Sequence, residues 1–172
     1  LHLSIRRQRQ MCIRDRCIPH EGKSDLDRSI PRKLSAWQIP GDRFVIVRDN
    51  DGADCAAVLN KLQAMCLASG RPDTLVRLAC QELETWYLGD LEAVAAAFEQ
   101  PKVNSPAHRK KFADPDAWQK PSVELERLVP RFQKGAGARA MAQHLGEPEH
   151  NRSHSYGKFV RGVRRLAQEM EL

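Results

Sequence analysis

The run Phe44-Val-Ile-Val47, apolar without alternation and closed by Arg-Asp-Asn-Asp-Gly at 48–52, is the feature that most narrows the fold. A strand with one wet face alternates apolar and polar residues, whereas an unbroken apolar run suits a strand covered on both faces, as in a parallel sheet. "TLVRLAC" at 74–80 reads as a second such strand. Between them, Cys55, Val58, Leu59, Leu62, Met65 and Cys66 fall on one face of a helix that stops at Gly70. Upstream, "CIPH" at 17–20 could close another strand. Leu26, Ile30, Leu34 and Trp37 then mark a helix with Ser24 as N-cap, Asp27 three residues on, and a kink or later start at Pro31. Downstream, "QELETWYLGDLEAVAAAF" reads as helix with a break and fresh cap at Gly89 and Asp90. Strand, helix, strand, helix, strand, helix predicts right-handed crossovers onto a mostly parallel sheet with helices on both faces.

From Gln100 onward the chain becomes Pro-punctuated, with helices near Val123–Phe132, Ala136–Leu145 and Ser155–Met170. The reading is one domain: an α/β core at 17–99 and a helical extension at 100–172. With 172 residues, 41% of them hydrophobic, there is enough apolar content for a core. No apolar run approaches the roughly 20 residues of a membrane span, and the arginine-rich start is unlike a signal peptide, so a cytoplasmic protein is expected. Cys17, Cys55, Cys66 and Cys80 form no CxxC pair and are expected to be reduced and mostly buried.

Arg6–Arg16, "RRQRQMCIRDR", shows neither helical nor strand periodicity. It could be a basic arm, but its back-translation resembles one frame of a common transposon sequencing adapter. Residues 1–16 are therefore read as an adapter-like, unstructured segment and set aside. Of the formal net charge of +6 they carry +4, five Arg against one Asp, leaving +2. Global basicity is thus a weak argument for nucleic acid. The local clusters His108–Lys111 and Arg152, Lys158, Arg161, Arg164, Arg165 are read first as solvated helix faces.

Sites in open α/β sheets form beyond the carboxyl ends of the strands. Asp49 and Asp51, at i and i+2 past the first strand, can aim two carboxylates at one volume. Such a pair repels unless a cation neutralises it, and Mg²⁺ or Mn²⁺ is the hard-oxygen answer. The plainer reading is an Asp/Asn/Gly turn with Asp54 capping the next helix. Glu82 and Glu84 emerge at the same edge of a parallel sheet, which favours the metal reading, though they also suit a helix's first turn. In the extension, Lys134 and Arg139 flank "GAGA". Arg152, Ser153 and Ser155 precede the last helix, where phosphate could be received, although either serine could be a simple N-cap.

"EGKSDLDRSIPRKLSAW", "FVIVRDNDGADC", "GRPDTLVRLACQELETWYLGDLEAV", "KKFADPDAW" and "NRSHSYGKFVRGVRRL" together resemble the bacterial family of domain of unknown function (DUF) 4276. That family is similar to Toprim-type domains, so the resemblance implies a Toprim-like (Rossmann-like) fold. It also implies that Asp49 and Asp51 match the Toprim acidic pair, with Glu84 as the following acid and Glu82 as a secondary candidate. The glutamate that the Toprim pattern places at the end of a first strand has no counterpart. Glu21 in "HEGKSD" matches a later piece of the pattern, and the chain is expected to be N-terminally truncated, without its first strand.

The implied function is a Mg²⁺-dependent nuclease or nuclease-related subunit in defence against foreign DNA, acting on nucleic acid, DNA foremost. Asp49, Asp51 and Glu84 are the expected catalytic and metal-holding residues, and an ATPase partner follows by analogy. The truncated chain is expected to be inactive. The competing reading is a non-catalytic regulatory subunit beside an ATPase. A small-nucleotide binder is a weaker third, because no glycine-rich phosphate loop is present.

Overall fold

A computed structural model describes residues 16–170. The segment set aside as adapter-like lies outside the described residues except for Arg16. The elements in order are α1 (Lys23–Ala36), β1 (Val45–Asp49), α2 (Cys55–Ala68), β2 (Leu75–Ala79), α3 (Glu84–Leu88), α4 (Leu91–Ala97), α5 (Pro106–Lys111), α6 (Pro121–Leu128), α7 (Lys134–Ala142) and α8 (His154–Met170). Short 3₁₀ turns at Pro101–Asn104 and Pro115–Ala117 link the middle helices. The fold is mixed α/β.

β1 and β2 pair in parallel, Val45 opposite Leu75 and Asp49 opposite Ala79. Among the described residues the sheet has these two strands. The strand expected at Cys17–His20 is absent: the segment runs without regular structure, and Ile18 is 39% exposed, so it buries too little to offset ordering. The α1 cap also differs from expectation. Gly22 holds the N-cap position at φ 113°, and Ser24 lies inside the helix. Among the described residues no side chain caps the first turn; Asp25 instead ties down the chain ahead of the helix, accepting from the Glu21 N–H at 3.3 Å and meeting His20 at 3.0 Å. The helix starts ahead of Pro31 and continues across it. Elsewhere local signals hold: Asp54 accepts from the Ala57 N–H at 2.7 Å, Gly70 ends α2 at φ 72°, and Asp90 recaps α4 through the Ala93 N–H at 2.9 Å.

Two cores divide the molecule. The first joins Ile30 and Leu34 of α1, Val58, Leu62 and Cys66 of α2, and Ile46 and Val76 of the sheet. The second runs from Ala79 through Trp86, Leu88, Val94, Phe112, Leu125 and Met141 to Tyr156. Hence α1 and α2 cover one sheet face, while α8 covers β2 on the other, with the Arg77 Nε donating to the Lys158 carbonyl at 2.9 Å. The four described cysteines are free, and only Cys66 is buried; Cys17 and Cys55 are exposed and Cys80 is half-buried, against the expectation from sequence.

Candidate functional site

The site sits where the two cores meet, at the carboxyl ends of β1 and β2. The parallel ladder continues past β1, with the Asn50 N–H on the Ala79 carbonyl at 3.2 Å and the Asp51 N–H on the Gln81 carbonyl at 3.0 Å. The chain then turns sharply: Asp51 and Gly52 both take left-handed conformations, at φ 49° and 77°, and Gln81 opposite them sits at 65°. An aspartate tolerates that region better than most residues, and Gly52 is the residue for which it costs least.

Asn50 fixes this turn. It is 4% exposed, its Oδ1 accepts from the Gln81 N–H, and its Nδ2 donates to the Ala53 carbonyl at 2.8 Å and the Cys55 Sγ at 3.1 Å. One amide thereby ties the loop after β1 to the loop after β2 and to the start of α2. Sequence reasoning missed it. Its neighbours are acids and glycine, so the residue reads as ordinary turn composition, and the burial that distinguishes it comes from packing.

Four carboxylates face this seam. Asp49 ends β1, Asp51 follows in the turn, Glu82 precedes α3, and Glu84 opens it. Burial, and then the charges of Glu84, Asp51 and Glu82, push the Asp49 carboxyl up to about 6. The same burial, with Glu84 and Asp49 nearby, raises the buried Tyr87 hydroxyl to about 12. Three of the acids have partners. Lys23 of α1 donates to the Asp51 Oδ2 at 3.1 Å, and Lys134 of α7 stands 3.5 Å from the Glu84 Oε1. The Ser122 N–H at the start of α6 donates to the Glu82 Oε2 at 2.9 Å. Burial alone would lower the Lys134 ammonium, but Glu84, Glu82 and Asp49 hold it above its ordinary value. Among the described residues, Asp49 has no such partner.

The sequence profile that the chain matches, over residues 5–164, is that of "Domain of unknown function (DUF4276)". The chain belongs to the DUF4276 family. The DUF4276 match begins inside the segment set aside as adapter-like and ends within α8. Neither the curated proteins nor the solved structures contain a match.

The other predicted residues separate. Lys134 joins the acids. Arg139 is exposed on α7, five residues on. Arg152 donates through Nη1 to the Arg109 carbonyl of α5 rather than to an acid of the seam. Ser153 and Ser155 are buried, and the anion they meet is Asp116. Its carboxylate accepts from the Ser153 Oγ at 2.7 Å and the Ser155 N–H at 2.8 Å, while the Ser153 Oγ accepts from the Tyr156 N–H at 3.2 Å. Their donors serve a helix cap supplied from a distant turn.

For a hard divalent cation, the donor set fits in type and charge: four carboxylates face two lysines, and Asp49, the one raised by its neighbours, has no direct ion pair among the described residues. Spacing is looser. Among the described residues no three His, Cys, Asp or Glu side chains stand close enough together to hold a metal ion. Any ion would have to draw Asp51 or Glu84 away from its lysine.

Proposed function

We propose that the seam between β1 and β2 is a Toprim-like phosphodiester site that uses Mg²⁺ or Mn²⁺ on nucleic acid, either as a nuclease or as a nuclease-related subunit. The observation that carries this reading is Asp49, a half-buried carboxyl raised to about 6 by burial and three neighbouring acids against the weaker pull of Lys134, and without a direct ion pair among the described residues. Asp49, Asp51 and Glu84, with Glu82 behind them, would hold the ion; when bound, it would polarise a phosphoryl oxygen and lower the pKa of water. The chain's own residues do the rest. Asn50 holds Asp49 and Asp51 on either side of a fixed turn. Lys134 and Lys23, which hold Glu84 and Asp51 in the metal-free chain, would be the cations available to the non-bridging oxygens of a phosphate if an ion took those carboxylates. Tyr87, its hydroxyl pushed up to about 12 by burial and by nearby Glu84 and Asp49, stays protonated beside them.

The test is Mn²⁺ binding by electron paramagnetic resonance together with cleavage of labelled DNA and RNA. Asp49→Asn plus Asp51→Asn should remove the bound-Mn²⁺ signal and any metal-dependent cleavage. A chain that binds Mn²⁺ equally well with both aspartates replaced would end the reading and leave the regulatory-subunit alternative, in which the acids only shape the turn.

A further inference from the structure

A groove of about 570 Å³ follows the outer edge of β2 between α2 and α8, with Leu59, Val76, Leu78, Lys158, Arg161 and Arg165 among its lining. The register fixes what the edge presents. The Leu75 N–H bonds the Phe44 carbonyl and the Ala79 carbonyl receives the Asn50 N–H, so residues 75, 77 and 79 turn their backbone groups to β1. Residues 76, 78 and 80 therefore turn theirs outward. The Val76 carbonyl is taken by the Arg77 Nη1 at 2.8 Å, the Cys80 carbonyl by the Thr85 hydroxyl at 2.7 Å and the Cys80 N–H by the Ser155 Oγ at 3.5 Å, which among the described residues leaves the Val76 N–H and the Leu78 N–H and C=O facing the groove.

Charge is the second observation. His154, Lys158, Arg161 and Arg165 recur four, three and four residues apart, so all four lie on one face of α8, and all are exposed. Arg77 reaches under the helix, where Gly162 admits it: a Cβ there would meet the Arg77 Nη2 at 2.7 Å. Among the described residues Arg77 and Lys158 have no carboxylate partner, while Arg161 and Arg165 have loose, exposed ones in Glu149 at 3.8 Å and Glu169 at 3.5 Å. Burial, and then the charge of Arg165, hold the Arg77 guanidinium below its ordinary value. The one acid in the lining, Asp116, is committed to Ser153 and Ser155. Among the described residues, Arg77, Lys158, Arg161 and Arg165, with His154 beside them, thus face a slot that holds no free carboxylate.

We propose that this groove binds single-stranded nucleic acid through its phosphates. Two helices, α2 and α8, flank one strand edge, so the slot offers an extended path suited to a single chain. Among the described residues the lining has no aromatic ring on which a base could stack, so recognition rests on the phosphate backbone and is independent of sequence. At its upper end the groove reaches Cys55 and Cys80, the first bonded to Asn50 and the second next to Gln81, which brings the strand to the acidic turn. The direction of the path rests on the phosphodiester reading above; the binding does not.

The test is fluorescence anisotropy with a labelled oligothymidine of roughly 16 nucleotides in EDTA, across a salt series. Lys158→Glu with Arg165→Glu should weaken binding at least ten-fold and flatten the log–log salt slope by roughly 0.7 for each phosphate no longer neutralised. The control reversal Arg109→Glu with Lys110→Glu, on α5, should change affinity less than two-fold, and circular dichroism should show both variants folded. Asp49→Asn with Asp51→Asn should bind at least as tightly as the parent, since EDTA removes metal from the comparison. If that variant binds the oligonucleotide but the parent shows no bound-Mn²⁺ signal that depends on the two aspartates, the phosphodiester reading fails and the groove stands. Equal affinity of the α8 variant and the parent would overturn the groove, as would equal loss in the α5 control, tighter binding of a duplex of the same length, or tighter binding of an acidic peptide.

Discussion

The two cores treat their apolar residues differently. In the second, Phe112, Leu125, Val94 and Met141 are fully buried, and glycines mark places where elements touch. A Cβ on Gly89 would lie 2.1 Å from the Asn151 Oδ1, and one on Gly137 2.3 Å from the Phe132 ring. In the first, β1 buries Ile46 at 7% exposed yet leaves Val45 and Val47 at 40%. One sheet face is packed by α1 and α2, while on the other α8 reaches β2 and stops short of β1. The lesson is that an apolar residue in a strand reports the sheet's capacity for burial, and the layers actually present decide how much is used. The candidate site lies on the boundary, with its aspartates on the half-covered side and its glutamates on the packed one.

The contrast breaks most readily at Phe112. Phe112→Ala should destabilise by about 3–5 kcal/mol in urea denaturation, against about 0.5 kcal/mol or less for Val47→Thr. Similar losses at the two positions would mean that the Val45/Val47 face is covered in solution. Next, Gly89→Ala should cost about 1–3 kcal/mol by driving α3 from the Asn151 loop, whereas Gly135→Ala, with nothing within 4 Å, should be neutral or slightly stabilising. Asn50→Ala should cost about 1–3 kcal/mol, because the Gln81 N–H loses its acceptor, and should also weaken Mn²⁺ binding; a stability loss with metal affinity intact would detach the turn from the site.

A smaller effect sharpens the boundary itself. The folded-state value of Asp49, about 6, stands above the ordinary 3.8. Its contribution to stability is fully present below 3.8, where both states are protonated, and is lost as pH rises through about 6, where the unfolded chain has already ionised. Asp49→Asn should therefore stabilise the metal-free protein at pH 8 by on the order of 1–2 kcal/mol, allowing for partial solvent screening, and change little near pH ~3.5. Equal effects at both pH values would show that burial and neighbouring acids do not act on this carboxyl.

The amino-acid sequence by itself determined the local grammar. The strand around 44–47, the α2 helix, the Asp54 and Asp90 caps and the Gly70 stop are read from neighbours within one turn or one pleat and stand in the structure, whereas the two-sided burial expected of the strand and the burial of Cys55 do not: Val45 and Val47 are 40% exposed and Cys55 is exposed. It also placed Asp49, Asp51, Glu82 and Glu84 at one edge, because parallel pairing puts successive strand ends on the same side. Only the tertiary structure decided what meets them there. Lys134 reaches Glu84 from 50 residues away, Asp116 caps Ser153 and Ser155 across nearly 40, and Asn50 is told apart from a turn residue solely by being enclosed. The physical reason is range. Periodicity and capping are set by bonds between residues a few positions apart, whereas the partner of a charge is set by which helix the core draws against it, and no short window of sequence contains that.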